Sequence, residues 1–381
     1  MRRMRNAAVA AVAITSVLSL VACAKDSGPG GAPGGNATGN GCEKAAPPAA
    51  PAGSTSSSTT GTKPDAKALK VGLTFDIGGR GDASFNDAAA AGVDRAIAEL
   101  GLQKSNVKEA SAAAGDTEDV KSSRLRQLAS EGYNPVIAIG FAYADALKVV
   151  AAQFPNTRFA IVDAGVEGAK NVTPLLFAEE QGSFLAGVIA AYKSKKCSVG
   201  FVGGVNVPLI QKFEAGFYQG AKAAAPNIKV EKKYLTPAGD LSGFNDPNKG
   251  KVASDGLIDG GADVLYQAAG GSGKGVFSAA KSRGALAIGV DSDQYKQTTV
   301  ADSKDIIISS VLKRVDVAVY DYIAASAKND LTTLPKVFDL SVDGVGYSIS
   351  GGKIDDIKGT LDAYKAAIVS GQIKVSDKPS S

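Results

Sequence analysis

Short apolar runs and amphipathic stretches alternate along the chain from about residue 69 onward. The runs at 69–75, 135–141, 159–163 and 172–177 have strand length, are bounded by Gly, Pro and charged residues, and predict strands buried on both faces. Between them, 84–100, 117–130 and 145–153 carry apolar residues at helical spacing. The rhythm resumes with strands expected at 198–202, 228–235, 263–268 and 286–290, and with helices that include 211–224 and 275–282. In helix 211–224, Phe213, Phe217 and Ala221 fall four residues apart on one stripe, Gln211, Lys212 and Lys222 are left for water, and Pro226 stops the helix. Gly216 and Gly220 weaken it by about 1 kcal/mol each, which implies that another backbone comes close there. Alternation of this kind requires parallel sheets covered on both faces, so the expected class is α/β. About 310 residues at roughly 150 per domain give two lobes.

Upstream the pattern is different. Arg2, Arg3 and Arg5 precede an uncharged, mostly apolar run at 7–20. That run is too short for about 30 Å of hydrocarbon but suits a secretory signal. Leu20-Val21-Ala22-Cys23 closes it as a lipobox, so cleavage before Cys23 would expose a cysteine for acylation, each buried methylene contributing roughly 0.8 kcal/mol of membrane affinity. Residues 1–22 are therefore read as a lipoprotein signal peptide. Residues 23–67, rich in Gly, Pro, Ser, Thr and Ala, are read as a flexible lipid-anchored linker that cannot bury enough surface to fold. The expected location is the extracytoplasmic face of the cell membrane, with membrane contact through the lipid anchor only.

Charge and rare residues narrow the function. The net charge is +4, and loss of the signal's three arginines brings it near +1. The one basic run, 193–196, reads as a solvated helix end, so a nucleic-acid partner is not expected. Histidine is absent, which removes the commonest general base and metal ligand. Of three cysteines, Cys23 is assigned to lipid, and Cys42 and Cys197 either pair in an oxidising compartment or remain thiols. These are too few for a zinc site, and no catalytic residue, metal or cofactor is assigned. Gly270-Gly271-Ser272-Gly273-Lys274 lacks the last glycine of a nucleophile elbow and any histidine to activate Ser272. As a Walker loop it fails too, because the first glycine would fall on Ala268 and Gly275 replaces the hydroxyl residue.

Candidate chemistry gathers where strands stop, the rim at which open parallel sheets bind ligands. The first strand runs into Asp76, Gly78, Gly79, Asp82, Phe85 and Asn86. Others end in Gly140 and Phe141, in Asp163 and Gly165, and in Gly203 and Gly204. Tyr266 leads into Gly270, and the strand at 286–290 reaches Asp291, Ser292 and Asp293. Carboxylates accept strongly from vicinal hydroxyls and aromatic faces stack on flat rings, so the set suits a neutral, hydroxyl-bearing, ringed molecule. Any single Asp here is better explained as a helix cap, and any single Gly as a turn; the whole set points to a ligand.

Five segments in order, Asp82-Ala83-Ser84-Phe85-Asn86, Gly182-Ser183-Phe184-Leu185-Ala186-Gly187, Phe213-Glu214-Ala215-Gly216-Phe217, Gly261-Ala262-Asp263-Val264 and Gly289-Val290-Asp291-Ser292-Asp293-Gln294, resemble the basic membrane protein family. These are lipoprotein substrate-binding components of ABC importers, the purine nucleoside receptor type being most similar, and the likeness runs from Lys70 to about Ser370. It implies a type I periplasmic-binding-protein fold, two parallel-sheet lobes joined by a three-strand hinge, with 68–175 and 312–342 as lobe 1 and 176–311 and 343–381 as lobe 2. A nucleoside of the purine class would lie in the cleft. The resemblance places Phe85 against the base with Tyr266 as a second aromatic wall, Asp76 and Asp163 toward the base edge, Asp291 and Lys313 on the ribose, and Asn86 and Gly270 beside the ligand. From the residues alone, Lys313 opens an amphipathic helix at 312–325, a place where lysine is ordinarily solvated, with Asp316 one turn on as its partner. The implied partners are an ABC permease and its ATPase, the protein itself being a monomer that closes on ligand by hinge motion. A sugar-binding or sensory lipoprotein of the same fold remains an alternative. A nucleoside hydrolase is disfavoured, since Asp291 and Asp293 are followed by Tyr295-Lys296-Gln297-Thr298 without the further carboxylates such enzymes use.

Overall fold

Two sheets of mostly parallel strands carry the chain. The computed structural model describes residues 42–49 and 63–379; the expected signal peptide, Cys23 and the rest of the linker lie outside the described residues. The first lobe contains β1 (Val71–Phe75), α1 (Phe85–Leu100), β2 (Val107–Ser111), α2 (Glu118–Ser130), β3 (Val136–Ala138), α3 (Ala144–Gln153), β4 (Phe159–Val162) and β5 (Val172–Leu175). Its five-stranded sheet has the order β2-β1-β3-β4-β5, parallel throughout. β1 and β4 are buried at every position, as uninterrupted apolar runs require. α1 ends at Gly101 in the left-handed conformation, and the Thr117 hydroxyl caps α2 by accepting from Val120 N.

The second lobe holds α4 (Glu179–Lys193), β6 (Ser198–Val205), α5 (Pro208–Ala224), β7 (Lys229–Thr236), α6 (Pro247–Asp259), β8 (Val264–Ala268), α7 (Gly273–Arg283), β9 (Leu286–Asp291) and β10 (Ile307–Lys313). The chain then returns to the first lobe as α8 (Val315–Lys328), which packs on α1, and comes back as β11 (Val345–Tyr347) and α9 (Lys358–Val369). The six strands run β11-β10-β9-β8-β6-β7, with β11 antiparallel to β10. Leaving β11 aside, both sheets reverse strand order at one place, between β1 and β3 and between β6 and β8. This is where α/β sheets open a crevice for ligands.

The lobe boundary differs from the sequence expectation at 312–342. Residues 312 and 313 belong to β10 in the second sheet, so that crossing falls at Arg314, and the last crossing follows Phe338. At the hinge Phe177 and Phe338 stack with ring centroids 5.2 Å apart. The linker expectation also needs correction at its end. Cys42 is bonded to Cys197, Ala45 N donates to Ala224 O at 2.9 Å, and Ala66 is fully buried, so 42–49 and 63–67 lie against the body. The glycines of α5 do what their cost implied: a Cβ on Gly216 would strike Glu180 O, and one on Gly220 would strike Phe184 O, both on α4.

Candidate functional site

A cleft with about 560 Å³ of open space lies between the carboxyl ends of the two sheets. From the first lobe it is lined by Asp76, Ile77, Asp82, Phe85, Asn86, Gly140, Phe141 and Asp163. From the second come Leu209, Ile210, Phe213, Phe244, Ala268, Gly270, Val290, Asp291 and Lys313. Of the eight residues expected at the site, seven line this cleft and Tyr266 does not. Tyr266 is fully buried, its hydroxyl 2.9 Å from Ser183 Oγ and its ring packed on Phe201 and Phe217. It sits two residues short of the end of β8, and Ala268 on the same face takes the rim position; the two-residue strand period puts the aromatic about 7 Å too deep.

Each carboxylate is held by its own loop. Asp76 follows β1; its Oδ1 accepts from Ile77 N at 2.8 Å, and its Oδ2 lies so near Gly140 that a Cβ there would meet it at 2.6 Å. Asn86 spends its amide on this turn, accepting from Asp76 N at 3.0 Å and donating to Ile77 O at 3.2 Å, so it positions Asp76. Asp82 accepts from the backbone N–H of Ser84, Asn86 and Asp87, and for this residue the helix-cap explanation suffices. Asp163 and Asp291 end β4 and β9 with φ of 71° and 63°, backbone that side chains other than Asn and Asp seldom adopt. Strain of this kind gathers at functional sites. Asp291 Oδ2 accepts from Ser84 Oγ at 2.5 Å, a bond between the lobes.

Lys313 is the departure from the expected helix start. It ends β10, its side chain is 2% exposed, and its Nζ lies 2.6 Å from Asp163 Oδ1 and 3.2 Å from Glu179 Oε1. Asp316 pairs instead with Arg314. The Lys313 ammonium also sits over the rings of Phe85, Phe177 and Phe213 at 5.1, 5.2 and 5.6 Å. Burial opposes its charge, but Asp163, Glu179 and Asp291 outweigh burial and hold it above the usual lysine range. Burial pushes Asp291 up to about 7 despite Lys313 and Ser84, and pushes Asp76 and Asp163 up to about 6. One lysine therefore faces more carboxylates than it can neutralise.

Four contributors were not singled out from the sequence. Phe244 comes from the irregular segment between β7 and α6, where no periodicity marks it. Phe213 belongs to the packing stripe of α5 and to one of the resembling segments, and it also lines the cleft. Phe141 follows Gly140 at a strand end and lines the cleft beside it. Glu179, 1% exposed, opens a helix apolar on all sides and gave no signal of its own. Among the described residues no group of acidic or cysteine side chains is placed to hold a metal ion.

Comparison with known proteins agrees with this arrangement. A family model described as ABC transporter substrate-binding protein PnrA-like matches residues 68–376. A Lactococcus lactis protein named "ABC transporter nucleoside-binding protein BmpA" is 33% identical over 84% of this chain and 92% of its own length. A Pyrococcus abyssi protein named as an uncharacterized lipoprotein is 38% identical over 76% of this chain and 71% of its own. Among solved structures, an ABC transporter solute-binding protein from Aeropyrum pernix superimposes with a TM-score of 0.66 at 28% identity, covering 80% of this chain and 92% of that one. A Clostridium phytofermentans sugar transporter protein, 13% identical with a TM-score of 0.54 over 74% of this chain and 99% of its own, shares the fold.

Proposed function

We propose, from the premise that this chain belongs to the Bmp family of PnrA-like ABC transporter substrate-binding proteins, that its ligand is a nucleoside of the purine class. The family is one of solute binders, not enzymes, and its members serve a permease. In this reading Cys23 carries the lipid that holds the chain on the extracytoplasmic face of the cell membrane, and the closed, loaded form docks on the permease while a separate ATPase supplies the energy.

One observation carries the choice of ligand. Phenylalanine side chains line the cleft from both lobes, Phe85 from one and Phe213 and Phe244 from the other, beside Asp76, Asp163 and Asp291. Rings on both sides accept a flat base, and carboxylates accept from ribose hydroxyls and base N–H groups. The single lysine is already paired with Asp163 and Glu179, so a phosphate would find repulsion rather than a partner, and a neutral nucleoside fits where a nucleotide does not. The name of the Lactococcus lactis relative supports the same class.

Titration calorimetry of the mature chain against nucleosides, free bases, nucleotides and sugars tests this. Nucleosides should bind, nucleotides should bind far more weakly, and Phe85→Ala and Asp291→Ala should each weaken binding tenfold or more, about 1.4 kcal/mol. Heat from sugars alone would replace this reading with the sugar-binding alternative.

A further inference from the structure

The loop joining β1 to α1 inserts its tip into the opposite lobe. Ala83 is fully buried, and the hydrophobic cluster it joins is otherwise made of second-lobe residues such as Val202, Leu265 and Val300. Its backbone is left-handed, φ 61°, which turns its carbonyl toward the second lobe. That oxygen accepts from Ser292 Oγ and from Gln294 Nε2, both at 2.9 Å. Gln294 is 1% exposed and locked in orientation: its Oε1 accepts from Val290 N at 2.9 Å and from Gln267 Nε2 at 2.8 Å. Gln267 is fixed in turn by Ala269 N, 3.0 Å from its Oε1. A rigid amide of one lobe thus presents its NH2 group to a carbonyl of the other. Ala83, Ser292 and Gln294 do not line the cleft, but they flank Ser84 and Asp291, whose own bond joins the lobes, and Asp291 does line it.

We propose that the Ala83 carbonyl, Ser292 and Gln294 form an interlobe latch. Gln294 is its positioning residue, and the latch governs how long a bound ligand stays rather than how fast it enters. The ligand arm of the test rests on the nucleoside reading above; the latch itself does not depend on what the ligand is. Opening the lobes must break all three bonds to the 83–84 tip, so a weakened latch speeds opening. Entry occurs into the open form, where these bonds are already absent, so association is spared.

Two variants of the mature chain separate this from a packing role. Ser292→Ala removes one donor at a half-buried position. Gln294→Glu keeps the oxygen that serves Val290 and Gln267 and replaces only the amino group facing Ala83. Stopped-flow binding of adenosine, guanosine and inosine should show dissociation about tenfold faster for Gln294→Glu and a few-fold faster for Ser292→Ala, with association within twofold of the parent. Burial at this 1% exposed position raises the new carboxyl above the usual glutamate range, and once acid has protonated it the group donates again, so the ratio of variant to parent dissociation rates should fall from its alkaline value back toward one. Unchanged dissociation in both variants, or loss in Gln294→Glu that acid does not reverse, overturns the latch. Small-angle scattering without ligand should show both variants more open than the parent. If no nucleoside binds the parent, the reading of the site fails, and this scattering comparison alone decides the latch: equal dimensions reject it.

Discussion

At Lys313 one ammonium meets Glu179 and Asp291 of its own lobe and, across the cleft, Asp163, and the imbalance has a pH signature. Burial raises Asp291 to about 7 and Asp76 and Asp163 to about 6, whereas the same groups in an unfolded chain ionise near 4. The ligand-free closed fold therefore holds more protons than the unfolded chain between about pH 4 and 7. Its stability from these groups is complete below that window and is lost as pH rises through 6 and 7. Ligand hydroxyls have the opposite preference, since they donate to ionised carboxylates. Nucleoside affinity should therefore rise between pH 5.5 and 8 while the melting temperature of the empty protein falls, and binding near pH 6.5 should release protons. Calorimetry in two buffers of different ionisation enthalpy, with parallel thermal melts, reads both trends. Affinity independent of pH would mean that these carboxylates do not receive the ligand's hydroxyls.

Among the elements, the crossing of α4 and α5 depends on absent side chains. Gly187 on α4 faces Phe217 O, and Gly216 and Gly220 on α5 face Glu180 O and Phe184 O, so the helices touch backbone to backbone. Gly220→Val would force them apart and should cost about 1–3 kcal/mol, read as a lower midpoint in urea with an unchanged slope; an unaltered midpoint would show that the crossing yields freely. The two glycines of α5 were legible in the sequence because they interrupt an otherwise good helical stripe. α4 was not, because Gly182 to Ala191 is buried on every side and leaves no polar face to set a period. β2 escaped for the converse reason, an edge strand of half-exposed residues with no apolar run. The same logic sorts the site. Asp76, Asp163 and Asp291 stand immediately after or at the end of buried strands, so strand ends located them. Tyr266 departs although β8 stops at 268 as expected: the resemblance gives it a rim role two residues short of that end, where a strand side chain lies in the core. The pattern puts Lys313 on a helix because the serines Ser309 and Ser310 break the apolar run of β10.

For the whole molecule, the Cys42–Cys197 bond ties the segment before the first lobe to the second, a link additional to the three crossings of the hinge. Its position decides what it does. Cys197 directly precedes β6, and the cleft opens at the other end of that strand, eight residues or about 26 Å away. A tether there should stabilise the fold without entering the closing motion. The loop it closes spans 155 residues of sequence separation, for which chain entropy sets an upper estimate of about 5 kcal/mol. Without it, 42–49 keeps on the second lobe only contacts such as Ala45 N to Ala224 O and Lys44 Nζ to Ala191 O. The double variant Cys42→Ser with Cys197→Ser should therefore melt several degrees lower by calorimetry, and a protease should cut near residues 42–49 more readily. Nucleoside affinity should stay within twofold, because the cleft, the Lys313 cluster and the Ala83 tip all lie on the opposite rim. A marked loss of affinity would place the tether within the closing machinery, and the hinge would then comprise four connections rather than three.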